Sequence, residues 1–378
     1  MAYSAEKRAT RLLARTRLVD GHNDLPYVIW RHRDARGDAR VWDLAREHPE
    51  HDTDIPKLRA GQVATQIFTA FIPTAENDPL RARLEVIDVM LQMEQAWPEA
   101  FHPVLEPRDI ARARKAGKIG LLKAVEGLVG VDNLAHLRLF HAMGIRLVTL
   151  CHNETLPFID SATDHPGRRP GNRPLSPFGE SLIAEMERLG LVIDMAHVSP
   201  PAQHAVMDCA KGPVMISHAN ARALCDHPRN APDDVIRRIA EGGGIVMATF
   251  VPAFLEQKVF DGMQPVMDGL GKVRDDIEDE DYRRHKDQAF RRFDGDGIDA
   301  LIRHLEYIRN IGGADCLGIG SDFYGGPNPP GLEDAATFPA LFARLMQRGW
   351  STADMEKLAG GNFERLWRQV YREKPAMA

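Results

Sequence analysis

Residues 191–218 have the sequence LVIDMAHVSPPAQHAVMDCAKGPVMISH, in which two short apolar runs are separated by a longer mixed segment. The runs are LVIDM at 191–195 and PVMIS at 213–217. Such runs are typical of parallel strands that are buried on both faces. His197 closely follows the first run and His218 directly follows the second. This stretch predicts two parallel strands, joined by a helix, that each end in a histidine.

The same alternation extends over the rest of the chain. Six further apolar runs lie at 18–20, 63–71, 119–125, 145–150, 244–251 and 316–321. Helical segments fit between the runs, for example at 80–97, 134–143, 177–189, 232–241 and 298–311. Eight strand and helix units without a change of composition predict an α/β fold, a closed (β/α)8 barrel of the TIM type.

The predicted barrel takes up the whole chain as one domain, residues 1–378, with two long excursions at its rim. Residues 160–174 follow the fourth strand and are rich in Gly, Pro and charge, which is typical of a loop. Residues 257–296 follow the seventh strand and contain a dense run of charges, which favours a solvated helix over a partner-binding tail. Both excursions are expected to shape access to the site.

Composition excludes several classes of function. The chain has 378 residues with 48 Lys and Arg against 54 Asp and Glu, a formal net charge of −6. Nucleic-acid binding needs a basic surplus on one face, so no nucleic-acid partner is expected. No run approaches the roughly 20 apolar residues of a membrane span, so no membrane association is expected. The 4 cysteines lack C-x-x-C spacing and the basic N-terminal segment lacks the apolar block of a secretion signal, which favours a cytoplasmic location.

Polar residues occupy the ends of the predicted strands, where enzymes with this fold carry their catalytic groups. His22 and Asp24 follow the first strand two positions apart, and extended residues at that spacing face the same way. Glu126 follows the third strand directly, and a buried carboxylate is costly unless it is paired or binds a cation. Asp322 follows the eighth strand. With the two histidines described above, one end of the barrel receives three histidines and three carboxylates.

This set of side chains predicts a metal centre. Imidazole combined with carboxylate suits zinc and other divalent transition metals, whereas an all-oxygen site would suit magnesium or calcium. Five ligands and a sixth acidic group exceed what one tetrahedral zinc uses. Two metal ions that share a carboxylate and a hydroxide accommodate the set, and such a pair activates water and polarises a carbonyl. A structural histidine would explain each histidine alone, so the prediction depends on the whole set.

The chain resembles the renal or membrane dipeptidase family of metallopeptidases, within the amidohydrolase-like barrels. The resemblance extends from residue 20 to about residue 366. It is carried by DGHNDLP at 20–26, LSPFG at 175–179, IDMAHVS at 193–199, ISHANAR at 216–222, RNAPDD at 229–234, GIGSDFYG at 318–325 and GGNFERLW at 360–367, together with the Glu-Gly pair at 126–127. The departures are Leu128, where many relatives have glycine, and Ser321, where glycine is common.

The resemblance implies a role for each residue at the strand ends. Two zinc ions per chain, or other divalent transition metals, would be held at two positions bridged by Glu126. The first position would use His22 and Asp24, and the second would use His197 and His218.

The resemblance also implies the groups that act on a substrate. Asp322 would take a proton from the bridging water and deliver it to the leaving amine. His152 would polarise the scissile carbonyl and stabilise the tetrahedral intermediate. Arg229 would hold the terminal carboxylate of the substrate, a role that suits the two-pronged guanidinium.

The predicted function is therefore hydrolysis of dipeptides with a free C-terminal carboxylate, through a hydroxide that bridges two zinc ions. A second hypothesis is another amidohydrolase reaction at the same site, either deacylation of an N-acyl amino acid or opening of a lactone. A non-catalytic metal-binding barrel is less favoured, because every ligand and Asp322 are retained. Residues 248–255 differ from the animal members of the family, and the secretion and lipid-anchor signals of those members are not seen, which favours a soluble member of the bacterial type. The resemblance also allows a homodimer. The side-chain preference for the dipeptide does not follow from the sequence.

Overall fold

The apolar runs form parallel strands that close into a barrel. The structure is a computed structural model that describes residues 2–164, 173–262 and 297–371. Eight strands pair in the order β1-β2-β4-β5-β6-β7-β8-β9, and β9 pairs with β1 to close the ring. The strands are β1 (Leu18–Asp20), β2 (Val63–Phe71), β3 (Phe101–Pro103), β4 (Ile119–Glu126), β5 (Ile145–Thr149), β6 (Val192–Asp194), β7 (Met215–Ile216), β8 (Ile245–Ala248) and β9 (Leu317–Ile319). The predicted (β/α)8 barrel is confirmed.

One strand, β3, is absent from the sequence prediction. It pairs with the first residues of β4 on the outside of the closed ring. Its three residues run from buried to exposed and end in a proline. No apolar run marks so short a segment, which explains why the alternation of strand and helix passes over it.

Helices connect the strands and surround them. They are α1 (Ala2–Leu13), α2 (Leu25–Arg31), α3 (Ala39–Trp42), α4 (Ile55–Ala60), α5 (Pro79–Ala96), α6 (Pro107–Lys115), α7 (Leu134–Ala142), α8 (Pro177–Leu189), α9 (Pro200–Cys209), α10 (Asp233–Glu241), α11 (Pro252–Leu255), α12 (Gly297–Gly312), α13 (Phe338–Gln347), α14 (Thr352–Glu356) and α15 (Asn362–Val370). The five helical segments expected from periodicity all occur within one residue of their predicted ends. None of the helices in the described ranges has the length and apolar character that crossing a membrane requires.

A separate apolar cluster lies inside the barrel and closes one of its ends. It takes residues from seven of the eight barrel strands and adds Phe363, Leu366 and Trp367 of α15. β9 contributes Gly318, where a Cβ would lie only 2.6 Å from the Cγ of Met247. The methionine side chain therefore occupies the space that a side chain at position 318 would need. We call this closed end the base. The opposite end, where the strands finish, is the rim.

The two excursions expected at the rim fall mainly on residues 165–172 and 263–296, which lie outside the described residues. The charge-rich helix predicted in the second excursion therefore stays a prediction. The same holds for the assignment of residues 1–378 to a single domain. The described residues place all eight strand ends of the barrel on one rim, which is what positions the site.

Candidate metal centre

Five of the barrel strands bring six ionisable side chains together at the rim. Two follow β1, one ends β4, and one each follows β6, β7 and β9. Each of the six residues is buried, with no more than 7% of its surface exposed: His22, Asp24, Glu126, His197, His218 and Asp322. The residues predicted to share one end of the barrel therefore do lie together.

Glu126 stands at the middle of this group. Its Oε1 lies 2.9 Å from Nε2 of His197 and 3.5 Å from Nε2 of His218. Its Oε2 lies 3.4 Å from Nε2 of His22, which is also 3.4 Å from Oδ2 of Asp24. The two oxygens of one carboxylate thus face two different groups of side chains, as a bridging ligand would.

Several polar atoms of the group are buried and form no hydrogen bond with the residues that the structure describes. They are Nε2 of His22, Oδ1 of Asp24 and Oε1 of Glu126, the last despite its closeness to His197. In addition, the Nε2 atoms of His197 and His218 lie 2.9 Å apart. Two imidazole lone pairs at this distance repel each other unless a proton or a cation lies between them. Orphaned buried polar atoms are rare, and a shared cation would satisfy all of these at once.

The charges of the group also demand a cation. Burial acts to lower the pKa of His22, but the carboxylates of Glu126 and Asp24 outweigh it and raise that pKa well above its usual value. The acidic side of the group therefore holds positive charge, either a proton on His22 or a metal ion. On the other side, burial and the charge of Arg229 hold the pKa values of His197 and His218 well below the usual value. Neutral imidazoles are the form that binds metals.

Each histidine is oriented by a partner on its outer nitrogen. Nδ1 of His197 lies 3.0 Å from Oδ1 of Asn153, and Nδ1 of His218 lies 2.8 Å from Oγ of Ser217. Nδ1 of His22 lies 3.5 Å from Oγ1 of Thr69. A hydrogen bond at Nδ1 leaves Nε2 free, and all three Nε2 atoms face the centre.

Three overlapping sets of ligand atoms could hold a metal, each with its atoms within 4.8 Å of one another: His22, Glu126 and His218; Glu126, His152 and His197; and His22, Asp24 and Asp322. All five predicted ligands occur in these sets, so the residues present fit a metal. His152, predicted to act on the substrate, shares the second set.

Two of the residues have a strained backbone. His197 has a φ of 67° and Asp322 has a φ of 65°, which is the left-handed region that residues other than glycine seldom adopt. Strain of this kind persists where the surrounding structure enforces it, and it concentrates at functional sites. The β6 and β9 ends therefore turn sharply to aim these two side chains into the group.

Asp322 combines burial with closeness to the centre. Its Oδ1 lies 3.9 Å from Nε2 of His22. Burial raises the pKa of Asp322 to about 7. A carboxyl group with a pKa near neutrality can both accept and release a proton at the pH of the cell.

His152 and Arg229 approach the group from the loops after β5 and β7. The rings of His152 and His197 are 4.3 Å apart between centroids, and Phe71 packs on the other face of His152 at 4.5 Å. The guanidinium of Arg229 lies 5.5 Å from the ring centroid of Phe254. Arg229 is only 6% exposed, yet its side chain forms no hydrogen bond or ion pair with any residue that the structure describes. Burial lowers its pKa, and the charges of Asp322 and Glu126, which act on it without forming an ion pair, offset this only in part.

The residues that hold these groups in place carry no signal in the sequence. Asn153 and Ser217 each adjoin a singled-out histidine in the chain, but their types alone indicate nothing. Arg83 of α5 is fully buried and donates to the carbonyls of Gly127 and Val129, which fixes the loop directly after Glu126. Its partners are backbone atoms 44 and 46 positions away, so no local pattern reveals them.

Known proteins are similar to this chain over almost its whole length. The profile of the family described as membrane dipeptidase, peptidase family M19, matches residues 6–377. An uncharacterized dipeptidase of Schizosaccharomyces pombe is 31% identical over 97% of this chain and 84% of its own. Dipeptidase 3 of Mus musculus is 32% identical over 97% of this chain and 68% of its own.

Solved structures share the fold. A probable dipeptidase, PvdM, from Pseudomonas aeruginosa has a TM-score of 0.83 at 22% identity, covering 97% of this chain and 98% of its own. A metallo peptidase from Rhodobacter sphaeroides, liganded with a phosphinate mimic of the dipeptide L-Ala-D-Ala, has a TM-score of 0.76 at 21% identity, covering 94% of this chain and 99% of its own. At these identities the likeness concerns the barrel itself.

Proposed function

The chain belongs to the membrane dipeptidase family of metallo-dependent peptide hydrolases, and we propose that it cleaves dipeptides with a free C-terminal carboxylate at a centre of two zinc ions. His22 and Asp24 would hold one ion, His197 and His218 the other, and Glu126 would bridge the two. Five ligands with a shared carboxylate support two ions, and the mixture of imidazole and carboxylate supports zinc. Bound there, the ions would supply positive charge that acidifies water and polarises a carbonyl.

The observation that carries the substrate assignment is the buried guanidinium of Arg229. A buried cation is costly unless an anion pairs with it, and Arg229 makes no ion pair with the described residues, so its guanidinium would favour a substrate that carries an anion. The free carboxylate of a dipeptide matches the two-pronged guanidinium and would bind through paired hydrogen bonds. Phe254, stacked on Arg229, keeps the guanidinium turned to one side.

The remaining groups handle protons and charge. Asp322 would take the proton of the attacking water and return it to the leaving amine, a task that its pKa of about 7 suits. His152, half-buried beside His197, would donate to the carbonyl oxygen as that oxygen becomes negative. The strained backbone at Asp322 holds its carboxyl group in place before the substrate binds.

The test begins with zinc and ends with a substrate panel. Metal-free protein titrated with Zn²⁺ is expected to bind two ions per chain and to gain dipeptidase activity as they bind. Full activity in a chelator-treated sample with no metal would overturn the proposal. Arg229→Met is expected to lower kcat/KM for dipeptides by about 100-fold, the cost of a buried charged hydrogen-bond pair, and to leave zinc binding unchanged.

The same panel separates the second candidate, an amidohydrolase reaction on other substrates. N-acyl amino acids carry the same carboxylate as dipeptides, so Arg229 alone favours neither, whereas simple lactones lack it. Hydrolysis of N-acyl amino acids in preference to dipeptides would establish deacylation. Hydrolysis of lactones that is insensitive to Arg229→Met would establish a lactonase.

Two further points belong to the proposal. We place the chain in the reducing environment of the cytoplasm, because all four of its cysteines are free thiols and three of them are buried. A homodimer remains a prediction, which light scattering coupled to gel filtration tests directly.

A further inference from the structure

Two carboxylates outside the candidate metal centre lie halfway round the barrel from each other. Asp20 ends β1 and Asp194 ends β6, and these strands are opposite in the eight-stranded ring. Both aspartates are fully buried. Asp20 precedes His22 by two positions, and Asp194 precedes His197 by three.

Each aspartate holds one serine in the same way. Ser321 donates from Oγ to Oδ2 of Asp20 at 2.6 Å and from its backbone N–H to Oδ1 at 2.7 Å. Ser217 donates from Oγ to Oδ2 of Asp194 at 2.6 Å and from its backbone N–H to Oδ1 at 2.8 Å. Both serines are fully buried, so the two pairs are matched in chemistry, in the geometry of the two shared hydrogen bonds and in burial.

The pairs differ in what the serine hydroxyl touches next. Oγ of Ser217 lies 2.8 Å from Nδ1 of His218. Oγ of Ser321 instead approaches the backbone oxygen of His22, at 3.2 Å. Only the pair on the β6 side therefore reaches the ring of a residue in the metal centre.

The position of one proton follows from this contact. A hydroxyl has a single proton, and a carboxylate only accepts. Since Ser217 gives its proton to Asp194, its oxygen is left to accept from Nδ1 of His218. With the proton on Nδ1, the imidazole has a free lone pair on Nε2, the atom that lies 3.5 Å from Glu126 and 2.9 Å from His197.

Asp194 is itself fixed, so the arrangement is rigid. Its Oδ1 also accepts from the backbone N–H of Ala196 at 3.0 Å. Its Oδ2 also accepts from the hydroxyl of Thr149, on the neighbouring strand β5. Four hydrogen-bond donors, which lie in or just after three consecutive strands, hold this one carboxylate in a fixed orientation.

We propose that Asp194 and Ser217 are positioning residues that hold His218 with Nε2 unprotonated and turned toward the metal centre. The matched pair of Asp20 and Ser321 links β1 to β9 but does not determine which ring nitrogen of a histidine carries the proton. This inference rests on the proposed two-zinc centre.

Replacing Asp194 by asparagine tests the proposal, because it should reverse the direction of the hydrogen bonds that join residue 194, Ser217 and His218. The two backbone N–H groups at Oδ1 require the amide oxygen there, which places the amide NH₂ toward Ser217. Ser217 then accepts from the amide and donates its own proton to Nδ1 of His218, so the histidine proton moves to Nε2, where it blocks a metal. Asp20→Asn makes the same substitution where no ring nitrogen is in contact.

The measurement is Zn²⁺ affinity, obtained by titrating metal-free protein against a chromophoric chelator. Asp194→Asn is expected to lower the affinity for one of the two zinc ions by about 10- to 100-fold, which is the usual effect of losing the hydrogen-bond partner that orients a metal ligand. Asp20→Asn is expected to bind both ions as the wild type does. Equal weakening in both variants, or none in Asp194→Asn, would overturn the inference.

A second pair keeps the test decisive if an asparagine variant does not fold. Ser217→Ala is expected to lower the affinity for one zinc ion, and Ser321→Ala is expected to leave the affinity for both ions unchanged. Ser217→Thr keeps the hydroxyl and is expected to bind zinc as the wild type does. Loss of zinc in Ser217→Thr equal to that in Ser217→Ala would contradict a role for the hydroxyl. The wild-type titration stands apart from these comparisons, because a wild type that bound no zinc would refute the metal centre itself.

Discussion

Each end of the barrel buries one glutamate, and the two carboxylates have opposite surroundings. Glu126 at the rim and Glu364 of α15 at the base are both 2% exposed. Glu364 accepts hydrogen bonds from two arginines, Arg17 before β1 and Arg368 one turn further along α15. Glu126 is among histidines, and its Oε1 forms no hydrogen bond. Equal burial therefore gives no indication of which carboxylate is satisfied.

The difference shows which part of the barrel is built for stability and which is built for binding. At the base, Glu364 is paired with two arginines and the apolar cluster fills the interior. At the rim, several buried polar atoms of the described strand ends have no hydrogen-bond partner, and the backbone is strained at His197 and Asp322. Such features lower the stability of the free protein, and a bound ligand would offset that loss.

The largest expected effect is loss of catalysis in Glu126→Gln. Removing the bridging charge should lower kcat/KM by about 10⁴-fold or more, since metal assistance supplies several kcal/mol. In the metal-free protein burial raises the pKa of Glu126 despite the attraction of His22, so replacing this carboxylate by a neutral amide should leave the free energy of unfolding the same or raise it. Dipeptide kinetics and urea denaturation of the metal-free protein measure the two effects.

Glu364→Gln is the matched control and should behave in the opposite way. It removes the acidic partner of two arginines, which are 39% and 61% exposed in their side chains, so the loss of stability should be no more than about 1 kcal/mol. Zinc binding and kcat/KM should be unchanged. A marked fall in the stability of metal-free Glu126→Gln would show that the rim carboxylate is satisfied within the protein after all.

Trp367→Ala should produce the next largest effect, entirely in stability. The indole is fully buried in the cluster that closes the base. Truncating a buried tryptophan costs about 3–5 kcal/mol through lost burial and the cavity that remains. The value of kcat per folded molecule should match the wild type, because the site is at the opposite end.

Trp367→Phe controls for the size of the cavity. The indole Nε1 has no hydrogen-bond partner in the described structure, so phenylalanine gives up volume but no polar contact. It should lose much less stability than the alanine variant. A fall in kcat that follows the fall in stability across the two variants would mean that the ends of the barrel are coupled.

The barrel was predictable because its signal is repeated and local. Eight apolar runs separated by helical segments define the topology even where single strand ends are misplaced by a few residues. The three-residue β3 gave no such signal. In the same way, the grouping of polar side chains at one rim was predictable because His22, Glu126, His197, His218 and Asp322 all lie at or just after strand ends, which the fold gathers there.

The supporting contacts were not predictable, because they join residues far apart in the chain. Arg83 reaches backbone carbonyls beyond β4, and Asp20 reaches Ser321 across 301 positions. A residue type indicates chemistry only when its partners are known, and these partners are set by the closed ring. The burial of Arg229 is likewise visible only in three dimensions, since an arginine in a loop is most often a surface residue.

The smallest expected effect concerns a helix cap on the rim side. α8 begins at Pro177, after the loop that carries His152, and the hydroxyl of Ser176 accepts from the backbone N–H of Gly179 at 3.2 Å. Ser176→Ala should lower the free energy of unfolding by about 1 kcal/mol, measured by urea denaturation, because one N–H of the first turn loses its partner.

Ser181→Ala, in the same helix, is the control. The exposed Ser181 hydroxyl only returns to the carbonyl of Pro177, and alanine favours helix, so stability should be unchanged or slightly higher. Neither variant should alter zinc binding or kcat/KM. If Ser176→Ala did lower kcat/KM, the cap would be positioning His152 through its loop. If kcat/KM stayed the same, different groups at the rim would serve stability and function. Among the described residues, the hydrogen-bonded groups in the surrounding helices would serve stability, and the groups without hydrogen bonds at the strand ends would serve function.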